Sequence, residues 1–283
     1  GCGQWAETVV LRSTEGGADA GFASALLAWK DHLLVAAPKH ESGAVVAFRA
    51  GADGWAEAQT VTASGLSSSA QFGSALQAVG SRVLVGAPRA NDATGAAYSL
   101  SFDTEAEQWA VGGRLLPFDG MSRHLFGYAF AYDGSAVWIG APGASDRTGA
   151  LYRYSYSDGT WGGVERVAHP KTDAGNGMGA TLAGSASTVA VGLPGDDHGA
   201  GTMGIYSVAE DSWAQEAPLA PSAGQVLSAI TGEERGCADG EACKPLSYTG
   251  GIEVGQPRAD ESVRQRNASH HVPTPRPETR DTH

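Results

Sequence analysis

The chain has few basic residues, and this shortage restricts the partners that it can bind. Its 283 residues include 19 Lys and Arg against 31 Asp and Glu, which gives a formal net charge of −12. Nucleic acids are polyanions, and the proteins that bind them present a basic surface. The composition therefore predicts that nucleic acid is not a partner.

Long apolar runs and common catalytic motifs are also missing. No apolar run approaches the roughly 18 residues of a transmembrane helix, so we expect no transmembrane segment in this chain. The sequence contains no GxSxG elbow, no HExxH motif and no phosphate-binding loop motif. We therefore expect a protein that is not an enzyme and has no cofactor.

Cysteine is scarce, with three in the whole chain. Cys237 and Cys243 enclose a short loop of turn residues, and in a secreted chain this spacing indicates a local disulfide. A metal site would need more soft ligands nearby, and the sequence has none there. Cys2 is left over. Gly1-Cys2 resembles the end of a bacterial lipoprotein cleavage site, in which the cysteine carries a lipid. The alternative is that Cys2 pairs with a cysteine outside this sequence. Membrane attachment through a lipid or a missing segment therefore stays open.

Glycine, by contrast, is abundant, and three kinds of landmark residue recur in fixed phase. Tryptophans follow one another at spacings of 50, 54, 52 and 52, prolines close a short apolar run with the same period, and a Phe or Met precedes each proline by 16 positions. The landmarks are Trp5, Trp55, Trp109, Trp161 and Trp213, then Pro38, Pro88, Pro142 and Pro194, and finally Phe22, Phe72, Phe126 and Met178. A repeat of about fifty residues is typical of propellers, solenoids and arrays.

Each repeat unit contains four short runs of strand length. The second run, as in 83–87 and 137–141, shows no polar alternation, which indicates a strand buried on both faces. Four short antiparallel strands per unit form the blade of a β-propeller, so we predict an all-β propeller. The predicted units are 21–70, 71–124, 125–176 and 177–222, with 1–20 as the last strand of a preceding blade, 223–256 as a degenerate blade or small disulfide-containing segment, and 257–283 as a disordered tail or linker.

Repeated glycines and apolar residues indicate close packing between blades. Glycine inside a strand marks a close backbone approach, and we expect this at Gly73, Gly127, Gly86 and Gly140. The fixed phase of the tryptophans favours a packing role over stacking on sugars. Residues predicted to be nearly inaccessible to solvent are Phe72, Phe126, Val85, Ile139, Ala87 and Ala141.

The two middle units resemble the FG-GAP repeat of integrin alpha-subunit propellers and their bacterial relatives. One carries Phe72-Gly73 with Gly86-Ala87-Pro88, and the other carries Phe126-Gly127 with Gly140-Ala141-Pro142. The resemblance implies an extracellular or cell-surface binding or adhesion module with a protein or carbohydrate ligand. Propellers of this kind usually have seven blades, so we expect the chain to be a fragment of a longer propeller.

Calcium-binding members of that family carry a DxDxDG-like loop between the first and second strands, where carboxylates wrap a hard cation. Here each unit has a short turn at that place. The turns are Lys30-Asp31, Gly80-Ser81, Asp133-Gly134 and Gly184-Ser185. We therefore expect no metal site in these turns, and the calcium ligands of the family are not assigned to this chain.

The loops after each proline differ most between units, and in a propeller they share one face with the linkers between blades. Loops on a rigid scaffold are where binding usually resides, so we expect this face to bind a ligand. The candidate residues are Asn91, Asp92, Asp146, Arg147, Asp196, Asp197 and His198, although Asp and Asn are also good turn formers. Two alternatives stay open: a hydrolase or lyase acting on polysaccharide, and a structural scaffold without a ligand.

Overall fold

The computed structural model describes residues 9–13, 19–157, 159–167, 169 and 173–213. Within them, sixteen strands form four antiparallel sheets, each with its strands in chain order. Blade 1 is β1 (Leu26–Trp29), β2 (His32–Ala37), β3 (Ala44–Gly51) and β4 (Gly54–Val61); blade 2 is β5 (Leu76–Val79), β6 (Arg82–Ala87), β7 (Ala96–Asp103) and β8 (Gln108–Leu115). Blade 3 is β9 (Phe130–Tyr132), β10 (Ala136–Ala141), β11 (Ala150–Ser157) and β12 (Thr160–Val167); blade 4 is β13 (Leu182–Gly184), β14 (Thr188–Leu193), β15 (Thr202–Ser207) and β16 (Ser212–Trp213). The prediction of an all-β fold made of four-stranded propeller blades is confirmed.

The second strand of each blade lies in the core. The six residues predicted to be inaccessible, Phe72, Phe126, Val85, Ile139, Ala87 and Ala141, are each 0% exposed. Phe126 contacts Tyr152 edge to face, with ring centroids 5.2 Å apart, and Phe72 meets Tyr98 in the same way at 5.6 Å. The landmark phenylalanines therefore anchor each linker to the blade that follows it.

Glycines allow consecutive blades to approach at backbone distance. Gly95 forms an isolated parallel bridge with Phe126, and a Cβ on Gly95 would lie 2.1 Å from the Phe126 carbonyl oxygen. A Cβ on Gly86 would lie 2.0 Å from the carbonyl oxygen of Gly127 in the next blade. The Phe126 N–H also donates to the Thr94 carbonyl at 2.9 Å. A side chain cannot fit at Gly86 or Gly95 in this packing, although blade 1 has Ala36 at the position of Gly86.

Two of the four predicted first-to-second strand turns are displaced. In blade 3, Asp133 N donates to Ala136 O, so the turn is 134–135. In blade 4, Ser185 and Thr188 exchange both backbone hydrogen bonds, so the turn is 186–187 and Gly184 ends β13. The prediction placed these turns one and two residues too early, because it relied on the Asp-Gly and Gly-Ser pairs rather than on the strand register.

The landmark tryptophans do not share one environment. Trp109 is 4% exposed, since Trp29 and His32 of blade 1 pack against it with ring centroids 4.9 and 5.5 Å away. Trp161 is half-buried and Trp55 is 39% exposed, so the expected packing role is wrong for Trp55. Trp5 and the Trp213 side chain lie outside the described residues.

Several predicted features fall on parts of the chain that the structure does not describe. They are the Cys237–Cys243 disulfide, Cys2, the segment 223–256 and the tail 257–283. The described part has no helix long and apolar enough to cross a membrane.

Candidate binding face

The loops that follow Pro88, Pro142 and Pro194 share an unusual left-handed turn. Single turns span Ala90–Ala93, Ala144–Arg147 and Asp196–Gly199, and three consecutive residues in each have positive φ, such as Asp92 (φ 54°) and Asp146 (φ 54°). This conformation costs roughly 1–2 kcal/mol for each non-glycine residue. A hydrogen bond of 2.9 Å closes each loop, for example from Gly95 N to Ala90 O. Each loop therefore has a defined backbone conformation that is closed by a hydrogen bond.

These loops contact the linkers between blades. Arg123 N and Ser122 Oγ both donate to the Asp92 carbonyl, at 3.3 and 2.9 Å. At the following junction, Gly177 N donates to the Arg147 carbonyl at 2.7 Å. Loop and linker therefore form one continuous surface at both junctions.

Six of the seven candidate residues on these loops are exposed: Asn91, Asp92, Asp146, Arg147, Asp197 and His198. Asp196 is not, because it is 5% exposed and accepts hydrogen bonds from Asn176 Nδ2 and Thr202 Oγ1 at 3.4 and 2.5 Å. The corresponding loop positions in blades 2 and 3 hold buried Ala90 and Ala144. Asp196 therefore does not belong to the exposed face on which it was predicted: its carboxylate fills a core position with a polar group that neighbouring side chains satisfy.

Two of the linkers can be compared residue by residue. The linker 62–71 joins β4 to Phe72, and the linker 116–125 joins β8 to Phe126 over the same number of residues. Their buried positions match, with Ala63 and Ala70 in one and Pro117 and His124 in the other. A matching turn precedes each phenylalanine: the N–H of Ala70 donates to the Ser67 carbonyl at 3.0 Å and that of His124 to the Met121 carbonyl at 3.2 Å. The two linkers therefore share their buried positions and this turn, although their backbones differ at Gly65 (φ 75°) and Arg123 (φ 67°), whose counterparts Asp119 and Ser69 do not have positive φ.

The side chains at the exposed positions also differ between the two linkers. Where the first linker has Ser64, Ser67 and Ser69, the second has Phe118, Met121 and Arg123. Phe118 is 64% exposed and Met121 is 67% exposed. We call Phe118, Met121 and Arg123 the linker patch. The sequence places this linker on the predicted binding face but does not single out these three side chains, which an alignment of the two linkers on their terminal phenylalanines shows.

A hydrogen-bond network fixes the backbone beneath the linker patch. Asp119 Oδ1 accepts from the Tyr152 hydroxyl at 2.6 Å, and Asp119 Oδ2 accepts from Arg166 Nη1 at 2.8 Å. Arg166 Nη2 donates to Ser145 Oγ at 2.7 Å, which joins the linker to the blade 3 loop. The Tyr154 hydroxyl donates to the Leu116 carbonyl. The patch is therefore held on a rigid base formed by blade 3.

The pKa shifts of Tyr152, Tyr154 and His124 disfavour proton exchange by these groups near neutral pH. Burial, together with the hydrogen bond to Asp119, raises the pKa of Tyr152. Burial and the nearby Asp119 charge raise the pKa of Tyr154 to about 12. Burial lowers the pKa of His124, whose Nδ1 accepts a hydrogen bond from Met121 N at 3.3 Å. Both hydroxyls therefore stay protonated and the imidazole stays neutral, as groups that position the linker should.

The first-to-second strand turns do not fit a calcium ion. In blade 3, Asp133 Oδ1 accepts from Ser135 N and Ala136 N at 2.8 and 2.7 Å, and Oδ2 accepts from Trp138 Nε1 at 2.7 Å. In blade 1, Asp31 pairs with Arg49 at 3.1 Å. The Asp133 carboxylate is therefore hydrogen-bonded within its own turn and to Trp138, and the Asp31 carboxylate is in an ion pair. Over the described part of the chain, no cluster of three or more His, Cys, Asp or Glu residues is arranged to hold a metal.

The blade-to-blade contacts of Phe72-Gly73 and Gly86 correspond to a known repeat. Residues 55–100 match the FG-GAP repeat. The match begins at Trp55 in β4, crosses the linker 62–71 and ends at Leu100 in β7, so it includes both the Phe-Gly pair and Gly86-Ala87-Pro88. FG-GAP repeats are typical of extracellular and cell-surface proteins. A search of curated proteins gives no match to this chain.

Proposed function

We propose that this FG-GAP chain is a non-catalytic binding module of extracellular or cell-surface proteins, and that the linker patch contacts its partner. The observation that supports this proposal is the contrast at three exposed positions, where the linker 62–71 has serines and the linker 116–125 has Phe118, Met121 and Arg123. Aromatic and Arg residues, with Met, are enriched in protein interfaces, and they often carry most of the binding energy. The exposed loop residues Asp92 and Asp146 supply a polar rim beside the patch.

The rigid base of the patch supports the same role. Asp119 is bonded to Tyr152 and Arg166, so the linker is ordered before any partner arrives. A surface ordered in advance loses less conformational entropy on binding, which raises affinity. A catalytic site would instead need a group able to exchange protons, and the raised pKa values of Tyr152 and Tyr154 oppose that use. Binding is therefore the function that this geometry supports best.

The test uses a variant that gives the second linker the residues of the first, F118S/M121S/R123S. Immobilised wild type and variant are exposed to a random-peptide library displayed on phage and to a glycan array. We expect ligands retained by wild type to lose at least tenfold in retention on the variant, which corresponds to about 1.4 kcal/mol. Equal retention by both proteins would contradict the proposal.

The matched control is W55S. Trp55 is 39% exposed and lies at the start of β4, next to the third-to-fourth strand turn at the other end of the strands from the linkers. W55S removes an exposed aromatic side chain without touching the linker patch, so it should retain the same ligands as wild type. A loss with W55S equal to that of the triple variant would show that the retention is non-specific.

A further inference from the structure

The polar groups nearest to Phe118 are already occupied by one another. Both Asp119 oxygens accept hydrogen bonds, from Tyr152 and Arg166, and the second terminal nitrogen of Arg166 donates to Ser145. A carbohydrate site needs polar groups that converge on the ligand beside an apolar surface. Here the side chains of this network bond to one another, and Phe118 and Met121 face solvent as apolar side chains. This arrangement suits an apolar side chain of a polypeptide better than the hydroxyl groups of a sugar.

Methionine adds to this preference. Its thioether is apolar, flexible and polarizable, and it adapts to the shape of an apolar partner group. Met121 lies three residues from Phe118, and the two residues are the most exposed large apolar side chains of the described part of the chain. Together they offer an adaptable apolar contact.

Arg123 lies two residues after Met121 and adds an exposed positive charge. Arg49, Arg153 and Arg166 each pair with a carboxylate, at 2.9 Å to Glu107, 2.9 Å to Asp211 and 2.8 Å to Asp119. Arg123 is exposed and forms no ion pair with any residue that the structure describes, although its backbone N–H donates to Asp92. A guanidinium binds a carboxylate through two parallel hydrogen bonds. The patch therefore has a cation available for an acidic group of the partner.

We propose that the partner is a polypeptide segment that places an apolar side chain on Phe118 and Met121 and a neighbouring carboxylate on Arg123. This proposal rests on the proposed binding function and adds the chemical class of the partner. The net charge of −12 repels acidic partners at long range, so the pairing with Arg123 has to be local. Salt should weaken the pairing of this carboxylate with Arg123, because both charges are exposed to solvent.

Three synthetic peptide pools serve as the probes. Each peptide has a fixed Leu followed, one to three residues later, by a fixed Glu, Gln or Lys, with all other positions random and uncharged. Wild-type protein at low ionic strength should retain the Glu pool at least tenfold more than the Lys pool. The difference should shrink at high ionic strength because salt screens exposed charges.

Two charge-reversal variants locate the effect. R123E should reverse the preference, while R123Q should abolish it without reversing it. K30E makes the same change of charge at the exposed turn between β1 and β2, away from the linkers, and should leave the preference for the Glu pool intact. Urea unfolding midpoints equal to that of wild type would show that all three variants fold.

Each outcome decides a different point. Retention of the Glu pool that needs Phe118 and Met121 but survives R123E would overturn the carboxylate assignment and leave the binding function standing. Retention on a glycan array with no retention of any peptide pool would overturn the partner class. Retention that is unchanged in F118S/M121S/R123S would overturn the proposed role of the linker patch in binding.

Discussion

The linkers 62–71 and 116–125 leave equivalent strands, have equal lengths and end at equivalent phenylalanines, yet they expose side chains of different chemistry. The first exposes serines and the second exposes an aromatic, a methionine and an arginine. At the end of each linker the backbone is held in the same way, since Phe72 N donates to Ser42 O at 3.0 Å and Phe126 N donates to Thr94 O at 2.9 Å. This shared contact fixes where each linker ends, and the exposed positions before it are free to differ.

The difference also extends beneath the surface. Asp119 occupies the position of Gly65, so only the second linker gains the bonds to Tyr152 and Arg166. Tyr154, which donates to Leu116, has Leu100 as its counterpart in blade 2, and leucine has no hydroxyl to donate. The linker that carries large exposed side chains is thus also the one with additional support.

The largest expected effect lies in what the two linkers share. Phe72→Ala and Phe126→Ala should each lower the free energy of unfolding by about 3–5 kcal/mol, because each leaves a cavity in a fully buried site. Urea unfolding followed by tryptophan fluorescence measures both. A loss at one phenylalanine of less than half that at the other would show that the two linkers are not anchored equivalently.

A smaller loss should distinguish the two linkers. Asp119→Gly gives the second linker the residue of the first and leaves the Tyr152 hydroxyl without its acceptor, so we expect a loss of about 1–2 kcal/mol. The partly exposed Arg166 adds little to this figure, because solvent screens its ion pair. The double variant D119G/Y152F should lose less than the sum of the single variants. Strict additivity in urea unfolding would show that Tyr152 and Asp119 are not energetically coupled.

The strands and core were predictable from sequence because their signals repeat. Apolar runs such as 83–87 recur at fixed distance from a Phe-Gly pair, and only a strand buried on both faces needs that pattern. The requirement for glycine at Gly86 and Gly95 arises from backbone contacts between blades, and the repeat reveals it even without coordinates. Packing of the tryptophans was less predictable. Trp109 is covered by Trp29 and His32, which no shared landmark specifies.

The candidate site was only partly predictable. The loop residues were identified as a set, but sequence patterns do not show which polar side chains turn inward, and Asp196 does so to meet Asn176 and Thr202. Those two partners lie in different elements, so their proximity follows from the tertiary fold. The linker was predicted to lie on the binding face, but its exposed side chains were not singled out, because Phe118 and Met121 look like ordinary apolar residues until the structure shows that they are exposed.

Alkaline pH should affect the second linker through Tyr154. Burial raises the pKa of this hydroxyl to about 12, above its ordinary value, so the folded state keeps its proton longer than the unfolded state. The stabilisation is complete below an ordinary tyrosine pKa of about 10 and is lost as pH rises from there toward the folded pKa. Tyr154→Phe should cost about 1 kcal/mol at neutral pH through the lost bond to Leu116.

The measurement is the urea midpoint between pH 8 and pH 11. The Y154F midpoint should fall less steeply with pH than that of wild type, because one of the groups responsible has been removed. Tyr128→Phe is the control, since Tyr128 is 45% exposed and makes no such contact with the linker. Parallel slopes for wild type and Y154F would show that the Tyr154 hydroxyl is not protected by the fold.

The smallest effect on stability should accompany the largest effect on binding. The variant S64F/S67M/S69R gives the first linker the exposed residues of the second, and substitutions at such positions change the free energy of unfolding by about 0.5 kcal/mol or less. If the linker patch alone creates a binding surface, this protein should bind two copies of a ligand that wild type binds once. Calorimetric titration with a peptide selected on wild type gives the stoichiometry directly. A single site of unchanged affinity would show that the Asp119 network or the neighbouring loop is also required.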